Sequence, residues 1–477
     1  MCRCPSFLPW LDQLLLAQLF PASLNQPKSA FTFEVMSDAH LDTLTSKKSA
    51  YDYVRKLRRR TDNWCPHGVK RCGWCHGVRY PNSPEDDVIV FRCLACPWPG
   101  VNLPDKWAET EKRLMYIYTP RLGGDGNHSL QKKAKKDDPT DHSLAGTRAF
   151  FNDIRKLPGY TGRFPKEQGK IVETCSGFKV TRSQKVGKFR FLHITGVVAV
   201  TCTRHGCFWP RAVVDLPGGE QFLLMDLAMS GALECLKSLV QWMMTYDVAC
   251  SYLKNILIRW KEGNLPADLR PVVEKLQVLL PQLHMLAHRE WCQSEFAVCY
   301  TYGAGHTNGE AVEPIWGAHN AAGPSTREMN GGARHDALND MFSFWNWMKH
   351  ETMGKYLARK LQEKLLLQVD QLIDFAALTL AAGTERVQAW AARGMDRAAP
   401  TPLNCREREK TRPRDVFLLS SDAGACARCL NLSPAHALPH SAHHRERVQE
   451  ARRRFCGQCV CARHRHAGQA EDAGFDA

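Results

Sequence analysis

Three acidic residues stand where a carboxylate usually needs a partner. Asp125 lies among glycines after an apolar run, Asp247 ends the hydrophobic segment VQWMMTYD, and Glu310 follows the glycine-rich turn GAGHTNGE. A charge at the end of a buried strand is costly unless it is paired or bound to a metal. Carboxylates on two strands and a following helix can meet at one sheet edge and hold two Mg²⁺ ions about 4 Å apart, which favours phosphodiester cleavage. A turn Asp, a helix N-cap Asp and a first-turn Glu are the structural alternatives.

The cysteines and histidines form several groups with the spacing of metal ligands. Cys72-x2-Cys75 and Cys93-x2-Cys96 are separated by 17 residues, which is within the range of four-thiolate zinc sites. Two further Cys-x2-Cys pairs, at 426–429 and 456–459, are more loosely spaced in a histidine-rich tail. Inert buried thiols and hydrogen-bonded core histidines are the alternatives. The other zinc candidates lie at the ends of β-like segments or recur every four residues: Cys175, Cys202, His205, Cys207, His284, His288 and Cys292.

The segments around these residues show both strand and helix patterns. Residues 189–202 are rich in β-branched and aromatic side chains and predict a strand, and the apolar run at 113–122 predicts a strand leading to Asp125. The remaining predictions are a buried strand within 240–250, helices at 38–60, 220–239, 252–260, 267–292 (broken at Pro281) and 354–382, a helix opening near Glu310, and an exposed loop at 132–141. A strand or helix is thus predicted beside each carboxylate.

Composition narrows the class of protein. The 477 residues include 64 Lys and Arg against 49 Asp and Glu, a net charge of +15 that favours polyanionic partners, nucleic acid first. A hydrophobic content of 44% excludes wholesale disorder. The 20 cysteines in so long a chain fit metal-held thiolates in a reducing compartment better than a secreted disulfide scaffold. No run reaches the roughly 18 uninterrupted apolar residues of a membrane span.

Several segments, in order along the chain, resemble the KDZ (Kyakuja-Dileera-Zisupton) transposases, in the branch that carries a CxC-type cysteine cluster. The resemblance covers about residues 15–385 with one gap. The segments that carry it are FPASLNQPKSAFTFEVMSDAHLDTLTSKKSAYDYVRKLRRRTDN, NLPDKW, GGDGNHSLQKKAKKDDPTD, TGVVAVTCTRHGCFWPRAVVDLPGGEQF, TYDVACSY, LHMLAHREWCQSEF and the run from Gly303 to Lys349.

The resemblance implies an α/β fold with an RNase H-like core, a mixed sheet flanked by helices and split by a Cys/His-bearing insertion. It also implies a DDE triad of Asp125, Asp247 and Glu310 that binds Mg²⁺ or Mn²⁺, with Glu313 as second choice for the third ligand. The region of Cys202, His205 and Cys207 resembles the insertion of the family, and zinc is a further implied metal.

The sequence departs from the family pattern at several points. Asn308 replaces the usual Asp before Gly309-Glu310, which removes one charge beside the proposed site. The cysteine cluster expected before residue 1 is missing, so the chain resembles a relative truncated at its N-terminus, and a stretch between Asn63 and Lys70 is absent. Cys72 and Cys75 have no counterpart in the family, whereas Cys93 and Cys96 match it. The tail after residue 398 matches nothing recognisable.

These observations lead to one organisation and one leading hypothesis. We predict an N-terminal helical segment (1–64), a Cys-rich connection (65–112), the core (113–350, with an insertion at about 142–220), a helical segment (351–398) and a disordered Arg/His/Cys-rich tail (399–477). The predicted partner is DNA in the nucleus, with no membrane, and homo-oligomers are compatible with this. A catalytically decayed DNA- or chromatin-binding protein is the alternative. Candidate phosphate contacts are Lys132, Lys133, Lys135, Lys136, Arg327 and Arg334.

Overall fold

The structure, a computed structural model, describes residues 9–23, 27–46, 49–61, 88–136, 138–159, 191–392 and 401–402. The described residues divide into two compact units. The first lies within Met1–Ile89 and Pro97–Thr110, and the second within Val90–Cys96 and Glu111–Ala477. Cys72, Cys75, Cys175 and all of the predicted tail except residues 401–402 lie outside the described residues.

The first unit contains a short hairpin and three helices. Helix α1 (Trp10–Leu16) precedes the antiparallel strands β1 (Leu19–Pro21) and β2 (Ala30–Thr32), followed by α2 (Phe33–Ser46) and α3 (Ala50–Thr61). The segment predicted to be helical at 38–60 is divided between α2 and α3, and Ser49, one of the two serines that could cap it, accepts a hydrogen bond from the backbone N–H of Asp52 at the start of α3. Lys56 of α3 donates to Asp42 of α2 at 2.7 Å, so this lysine is ion-paired.

The second unit is built around a five-stranded mixed sheet with the order β7-β6-β3-β8-β9. Strands β3, β6 and β7 are antiparallel neighbours, whereas β8 and β9 continue from β3 in parallel. A separate two-stranded ladder joins β4 to β5. The strands are β3 (Arg121–Asn127), β4 (Lys132–Lys133), β5 (Leu192–Ile194), β6 (Val197–Cys202), β7 (Phe208–Asp215), β8 (Met243–Thr245) and β9 (Gln277–Leu279).

Helices cover both faces of this sheet. The helices of the second unit are α4 (Phe222–Glu234), α5 (Ala249–Tyr252), α6 (Ile256–Glu262), α7 (Arg270–Lys275), α8 (Gln282–Met285), α9 (Glu290–Phe296), α10 (Val312–His319), α11 (Gly323–Thr326), α12 (Gly331–Ala382) and α13 (Thr384–Ala392). Short 3-10 helices span Trp107–Glu109 in the first unit and Lys112–Tyr118, Gly146–Arg148, Ile154–Lys156, Leu253–Asn255, Ala267–Leu269, Val298–Tyr300 and Asn320–Ala322 in the second.

Two neighbouring glycines of β3 show which helix covers which face. A Cβ added at Gly124 would lie 2.7 Å from Met225 Sδ on α4, whereas one at Gly123 would lie 3.4 Å from Val312 on α10. Because successive strand residues point to opposite faces, α4 and α10 lie on opposite sides of the sheet. The α10 side holds an apolar core that includes Phe208 of β7, Trp316 of α10 and Phe342 of α12.

The strand that carries Asp125 lies later in the chain than the sequence predicts. Residues 112–118 form a 3-10 helix, and the glycine-rich segment RLGGDGN is itself the central strand β3. Glycine normally weakens a strand, but here its small size allows neighbours to pack closely: a Cβ at Gly123 would lie 2.4 Å from Thr203 Cγ2. The apolar pattern at 113–122 therefore predicted a strand beside Asp125 but placed it too early in the chain.

Two further predictions, the insertion at 142–220 and the helix at 267–292, differ from the observed secondary structure. Strands β6 and β7 fall within the predicted insertion at 142–220, yet both belong to the same sheet as β3. Residues 267–292 are not one helix broken at Pro281, because they contain β9 between α7 and α8. A three-residue buried strand is too short to show a periodicity of its own.

Helix α12 is much longer than the predicted helix at 354–382. Its buried side chains extend from Gly332 to Met353, whereas the later turns expose large apolar residues such as Leu365, Phe375 and Leu380. By length and composition alone, α12 is the one helix in the described part of the chain that can cross a membrane, and none of its apolar window is buried. Helices of soluble proteins pass the same test.

Candidate active site and metal centres

The predicted carboxylates lie near one edge of the sheet. Strands β3, β8 and β9 run parallel, and the register places Gly123 opposite Thr245. Asp125 therefore lies in β3 at the level where Asp247 follows β8. Both residues are partly exposed, so an ion can reach them from solvent. The carboxyl ends of parallel strands are where open α/β sheets usually bind their ligands.

The turn before Glu310 is anchored to the end of β8. Thr245 Oγ1 donates a hydrogen bond of 2.7 Å to the carbonyl of Gly309. Gly309 has φ of +75°, and a Cβ there would lie 2.7 Å from Thr245 Cγ2, so only glycine fits. Asn308 Oδ1 accepts from the Glu310 N–H at 3.3 Å, a bond that an Asp carboxylate can also accept. The Asn308 departure thus removes a charge while keeping a hydrogen bond of the turn.

Glu310 is buried and faces the segment that follows β9. Its Oε1 accepts from the Leu283 N–H at 2.6 Å and lies 3.4 Å from His284 Nδ1. Its Oε2 is buried and has no hydrogen-bond partner. A buried carboxylate oxygen without a donor is costly, and a cation relieves that cost.

Burial and neighbouring negative charges raise the pKa values of both aspartates. Burial, then the charges of Asp247 and Glu220, raise the pKa of Asp125 well above its ordinary value. Burial, then Glu220, raise the pKa of Asp247 to about 7, although His284 opposes this. Two carboxylates whose pKa values are raised together mark a place where a cation is favoured.

Glu220 belongs to this cluster, and the sequence analysis did not select it as a site residue. The Tyr246 hydroxyl donates to Glu220, and a Cβ at Gly126 would lie 2.7 Å from Glu220 Oε2. Burial raises the pKa of Glu220. Strand β7 runs in the same direction as β3, because both are antiparallel to β6. An acidic residue after the end of β7, following Gly218-Gly219, was the signal available in the sequence.

Two residues, Glu310 and Glu313, are candidates for the third carboxylate of the site. The charge of Glu313, an exposed residue of α10, is among those that raise the pKa of Asp125. Glu310 is instead directed to Leu283 and His284. Among the described residues, Asp125, Asp247 and Glu310 do not form a group whose ligand oxygens all lie within 4.8 Å of one another.

A first metal centre, which we name the four-residue centre, combines Cys93, Cys96, Cys202 and His205. His205 Nδ1 lies 3.2 Å from Cys93 Sγ and 3.3 Å from Cys202 Sγ, and the Cys96 and Cys202 sulfurs are 3.2 Å apart. Tetrahedral zinc separates such donors by about 3.6–3.8 Å, so a small outward movement admits the ion. Two sequence motifs that were predicted separately meet here.

Both halves of the four-residue centre are held in place by backbone contacts. The turn between β6 and β7 is closed by the Gly206 N–H, which donates to the Cys202 carbonyl at 2.8 Å. The segment before Cys93 is anchored by Asn346 of α12, which donates to the Phe91 carbonyl at 2.8 Å. Hydrogen bonds from the thiols of Cys202, Cys207 and Cys96 lower the pKa of Cys93 well below its ordinary value. Cys207 thus lies beside the centre without being one of its four members.

A second metal centre, which we name the three-residue centre, contains Cys250, His288 and Cys292, all buried. His284, His288 and Cys292 were predicted to lie on one helical face, and this prediction was wrong for His284. Helix α8 ends at Met285 and α9 begins at Glu290, so the helical period is interrupted between His284 and Cys292. His284 contacts Glu310 instead, and Cys250 of α5 replaces it.

The predicted DNA-contacting residues do not form one surface. Lys133 is ion-paired with Glu328, Lys135 donates to the Glu328 carbonyl, and the Lys133 N–H donates to the carbonyl of Arg327. With the exposed Lys136, these residues form a basic patch on β4 and the segment before α12. Lys132 is buried beside His193. The structure contradicts a phosphate contact for Arg334, which is 0% exposed.

Arg334 is a structural residue. Its Nη1 donates to Asp215 at 2.7 Å and its Nη2 donates to the Leu130 carbonyl at 2.7 Å. Burial alone raises the pKa of Asp215, but the charges of Arg334 and His335 hold that pKa well below its ordinary value. The pair therefore links α12 to the end of β7.

We expect Arg334→Ala to lower the free energy of unfolding by about 3–5 kcal/mol, because it leaves Asp215 buried without its main partner. Urea unfolding measures this change. Lys136→Ala is the matched control on the exposed patch and should alter stability by less than about 0.5 kcal/mol. In DNA titrations, Lys136→Ala should reduce the salt slope by about one unit. A stable Arg334→Ala protein with a reduced salt slope would contradict the structural role.

Comparison with protein families decides the affiliation of the chain. Residues 118–346 match the family model of the Kyakuja-Dileera-Zisupton (KDZ) transposase, and residues 1–65 match the CxC2-like cysteine cluster associated with KDZ transposases. The chain belongs to the KDZ transposase family. Neither a curated protein nor a solved structure matches it.

The KDZ match contains most of the site. Asp125, Asp247, Glu310 and the three-residue centre lie inside the range matched by the transposase model, whereas Cys93 and Cys96 lie between the two matched ranges. A KDZ transposase acts on DNA, so membership of the family implies DNA binding. The Cys/His groups of this KDZ chain can hold a metal such as zinc.

Proposed function

We propose that this KDZ-family chain is a DNA transposase that cleaves and joins DNA strands with divalent cations held by Asp125, Asp247 and Glu310. The observation that carries the proposal is the acidic cluster at the sheet edge, where two partly exposed aspartates have raised pKa values. Carboxylates with raised pKa values cluster at catalytic and ion-binding sites.

The sheet supports an RNase H-like core for this activity. Counted along the chain, the first strand of the sheet (β3) is central, the second and third (β6, β7) form an antiparallel meander on one side, and the fourth and fifth (β8, β9) are parallel on the other. This is the arrangement of RNase H-like folds, in which acidic residues of the first and fourth strands meet at one edge. Asp125 and Asp247 have that placement here.

The residues fit a pair of Mg²⁺ or Mn²⁺ ions by their chemistry. Asp125 and Asp247 offer carboxylate oxygens, and Glu310 offers the buried Oε2 that has no donor. When bound, such ions activate water or a 3′-hydroxyl for attack on a phosphodiester. The chain itself supplies the orientation: the Leu283 N–H holds one oxygen of Glu310, and Thr245 holds its turn. Glu220, hydrogen-bonded to Tyr246, adds negative charge beside both aspartates.

DNA would contact the basic patch formed by Lys133, Lys135, Lys136 and Arg327. Exposed lysines bind phosphates without reading sequence, and the net charge of +15 strengthens non-specific attraction. Since the proposed substrate is chromosomal DNA, the nucleus is the proposed location of the protein. The same proposal includes a structural zinc ion in the four-residue centre of Cys93, Cys96, Cys202 and His205. This ion would join the segment at 90–96 to the β6–β7 turn.

The direct test uses purified full-length protein, supercoiled plasmid carrying the terminal sequences of the element, and Mg²⁺ or Mn²⁺. We expect nicked and joined products that require the metal and the terminal sequences. Asp340→Asn, which changes an exposed carboxylate of α12, should leave activity intact. DNA binding without nicking would instead support the non-catalytic DNA-binding alternative, and absence of salt-dependent DNA binding would contradict both.

A further inference from the structure

The three-residue centre lies immediately behind the proposed catalytic edge. Cys250 lies in α5, three residues after Asp247, while His288 and Cys292 follow β9. All three side chains are buried, and their ligand atoms lie within 4.8 Å of one another. Cys250 Sγ and His288 Nδ1 are 3.5 Å apart, close to the roughly 3.6 Å that separates sulfur and nitrogen ligands of tetrahedral zinc.

The orientation of His288 is that of a metal ligand. Its Nε2 lies 2.8 Å from the carbonyl oxygen of Asp247. A carbonyl can only accept, so Nε2 carries the proton and the lone pair of Nδ1 is directed toward Cys250. Zinc-bound histidines commonly donate their other N–H to a carbonyl or carboxylate, which fixes the ring and its tautomer.

We propose that Cys250, His288 and Cys292 bind a zinc ion that positions Asp247 through the hydrogen bond from His288. Two thiolates and an imidazole form a soft donor set that selects zinc over Mg²⁺ or Mn²⁺. Three protein ligands leave the fourth tetrahedral position to a water molecule. Binding displaces the two thiol protons, so the centre with its ion is electrically neutral and adds no charge beside Asp247.

The positioning role follows from the chain path. Asp247 lies between β8, which fixes Thr245 in the sheet, and α5, which carries Cys250. A metal at the centre would tie the carbonyl of Asp247, through His288, to α9 as well. The zinc site stands on its own geometry, and only its effect on Asp247 rests on the proposed function.

The experiment measures zinc per chain by mass spectrometry in full-length protein. Cys250→Ser/Cys292→Ser should contain one zinc ion fewer than the wild type, whereas Cys299→Ser, an exposed cysteine nearby, should lose none. The double variant should also bind Mn²⁺ at the acidic edge about 10-fold or more weakly, as loss of outer partners usually does. Equal zinc content in folded wild type and double variant would overturn the site.

Two further outcomes separate the parts of the proposal. If the double variant fails to fold, Cys292→His replaces it, because this variant keeps a ligand but removes a thiolate. Cys292→His should retain zinc, and its Co²⁺-substituted form should show weaker thiolate-to-metal absorption than the wild type. Unchanged absorption would overturn the site. Loss of zinc with unchanged Mn²⁺ affinity would overturn the positioning role alone. If wild type binds no Mn²⁺, the proposed function fails while the zinc result stands.

Discussion

Asp247→Asn should abolish divalent-cation binding and lower strand cleavage at least about 1,000-fold, while making the metal-free protein more stable. The carboxylate has a pKa of about 7 against an ordinary 3.8, because burial and Glu220 disfavour its charge. At pH 8 the ionised group costs roughly 4 kcal/mol at most, and we expect Asn to recover about 1–3 kcal/mol of it. Chemical denaturation in the presence of chelator measures the gain.

The pH dependence of this effect has a defined sign. Since the pKa of Asp247 is higher in the folded than in the unfolded protein, its contribution to stability is present below about pH 4 and is lost as pH rises to about 7. Metal-free wild type should therefore lose stability across that window, and Asp247→Asn should lose less. Mn²⁺ affinity, measured by calorimetry, should rise over the same range because the ion competes with the proton.

Two other aspartates serve as matched controls. Asp226 is fully buried but paired with Arg259 at 2.7 Å, so Asp226→Asn should destabilise the protein. The exposed Asp340→Asn should have little effect on either property. If Asp247→Asn behaves like Asp226→Asn in stability and leaves Mn²⁺ binding intact, Asp247 is a structural residue and the catalytic proposal loses its main support.

Cys93→Ser/Cys96→Ser should remove one zinc ion and lower the free energy of unfolding by about 5 kcal/mol or more, the second large effect we expect. Structural zinc contributes of the order of 10 kcal/mol to the domains it holds, and few other single sites reach such values. The four-residue centre joins the segment at 90–96 to the β6–β7 turn, so its loss frees both. Thermal unfolding with and without a strong chelator measures the loss, and chelated wild type should resemble the variant.

Cys207→Ser tests the identity of the four ligands. Cys207 lies beside Cys93 but outside the group whose ligand atoms are all within 4.8 Å, so this variant should keep its zinc and lose about 1–3 kcal/mol at most. Zinc loss in Cys207→Ser with retention in His205→Asn would show that the sulfur of Cys207, not the imidazole, completes the site.

Local patterns selected several residues that the structure brings close together. Cys93-x2-Cys96 and Cys202-x2-His205 were each selected by spacing, and the strand signal of 189–202 corresponds to β5 and β6. Asp125 and Asp247 were selected because a charge beside a buried strand needs a partner, a reason that depends only on neighbouring residues. Their roles as metal ligands stay predictions.

Local patterns could not predict the position of β3 or the contacts between residues that are distant in the chain. The glycines of β3 suggested a turn, because only the close approach of Thr203 and Met225 shows why a strand needs them. Arg334 looked like a surface cation, because its partner Asp215 lies 119 residues away in the chain. Glu220 was passed over because the direction of β7, and so the edge on which that strand ends, depends on sheet order.

The sequence by itself determined which residue types were available: thiols and imidazoles in pairs, acids after apolar runs, and an excess of positive charge. The tertiary structure alone decided how they combine. It joined two distant pairs into the four-residue centre, exchanged His284 for Cys250 in the three-residue centre, and added Glu220 to the acidic edge. The physical reason is that spacing along a helix or strand constrains only near neighbours, whereas donors of one metal site must converge within a few ångströms, and here sheet order brings them together.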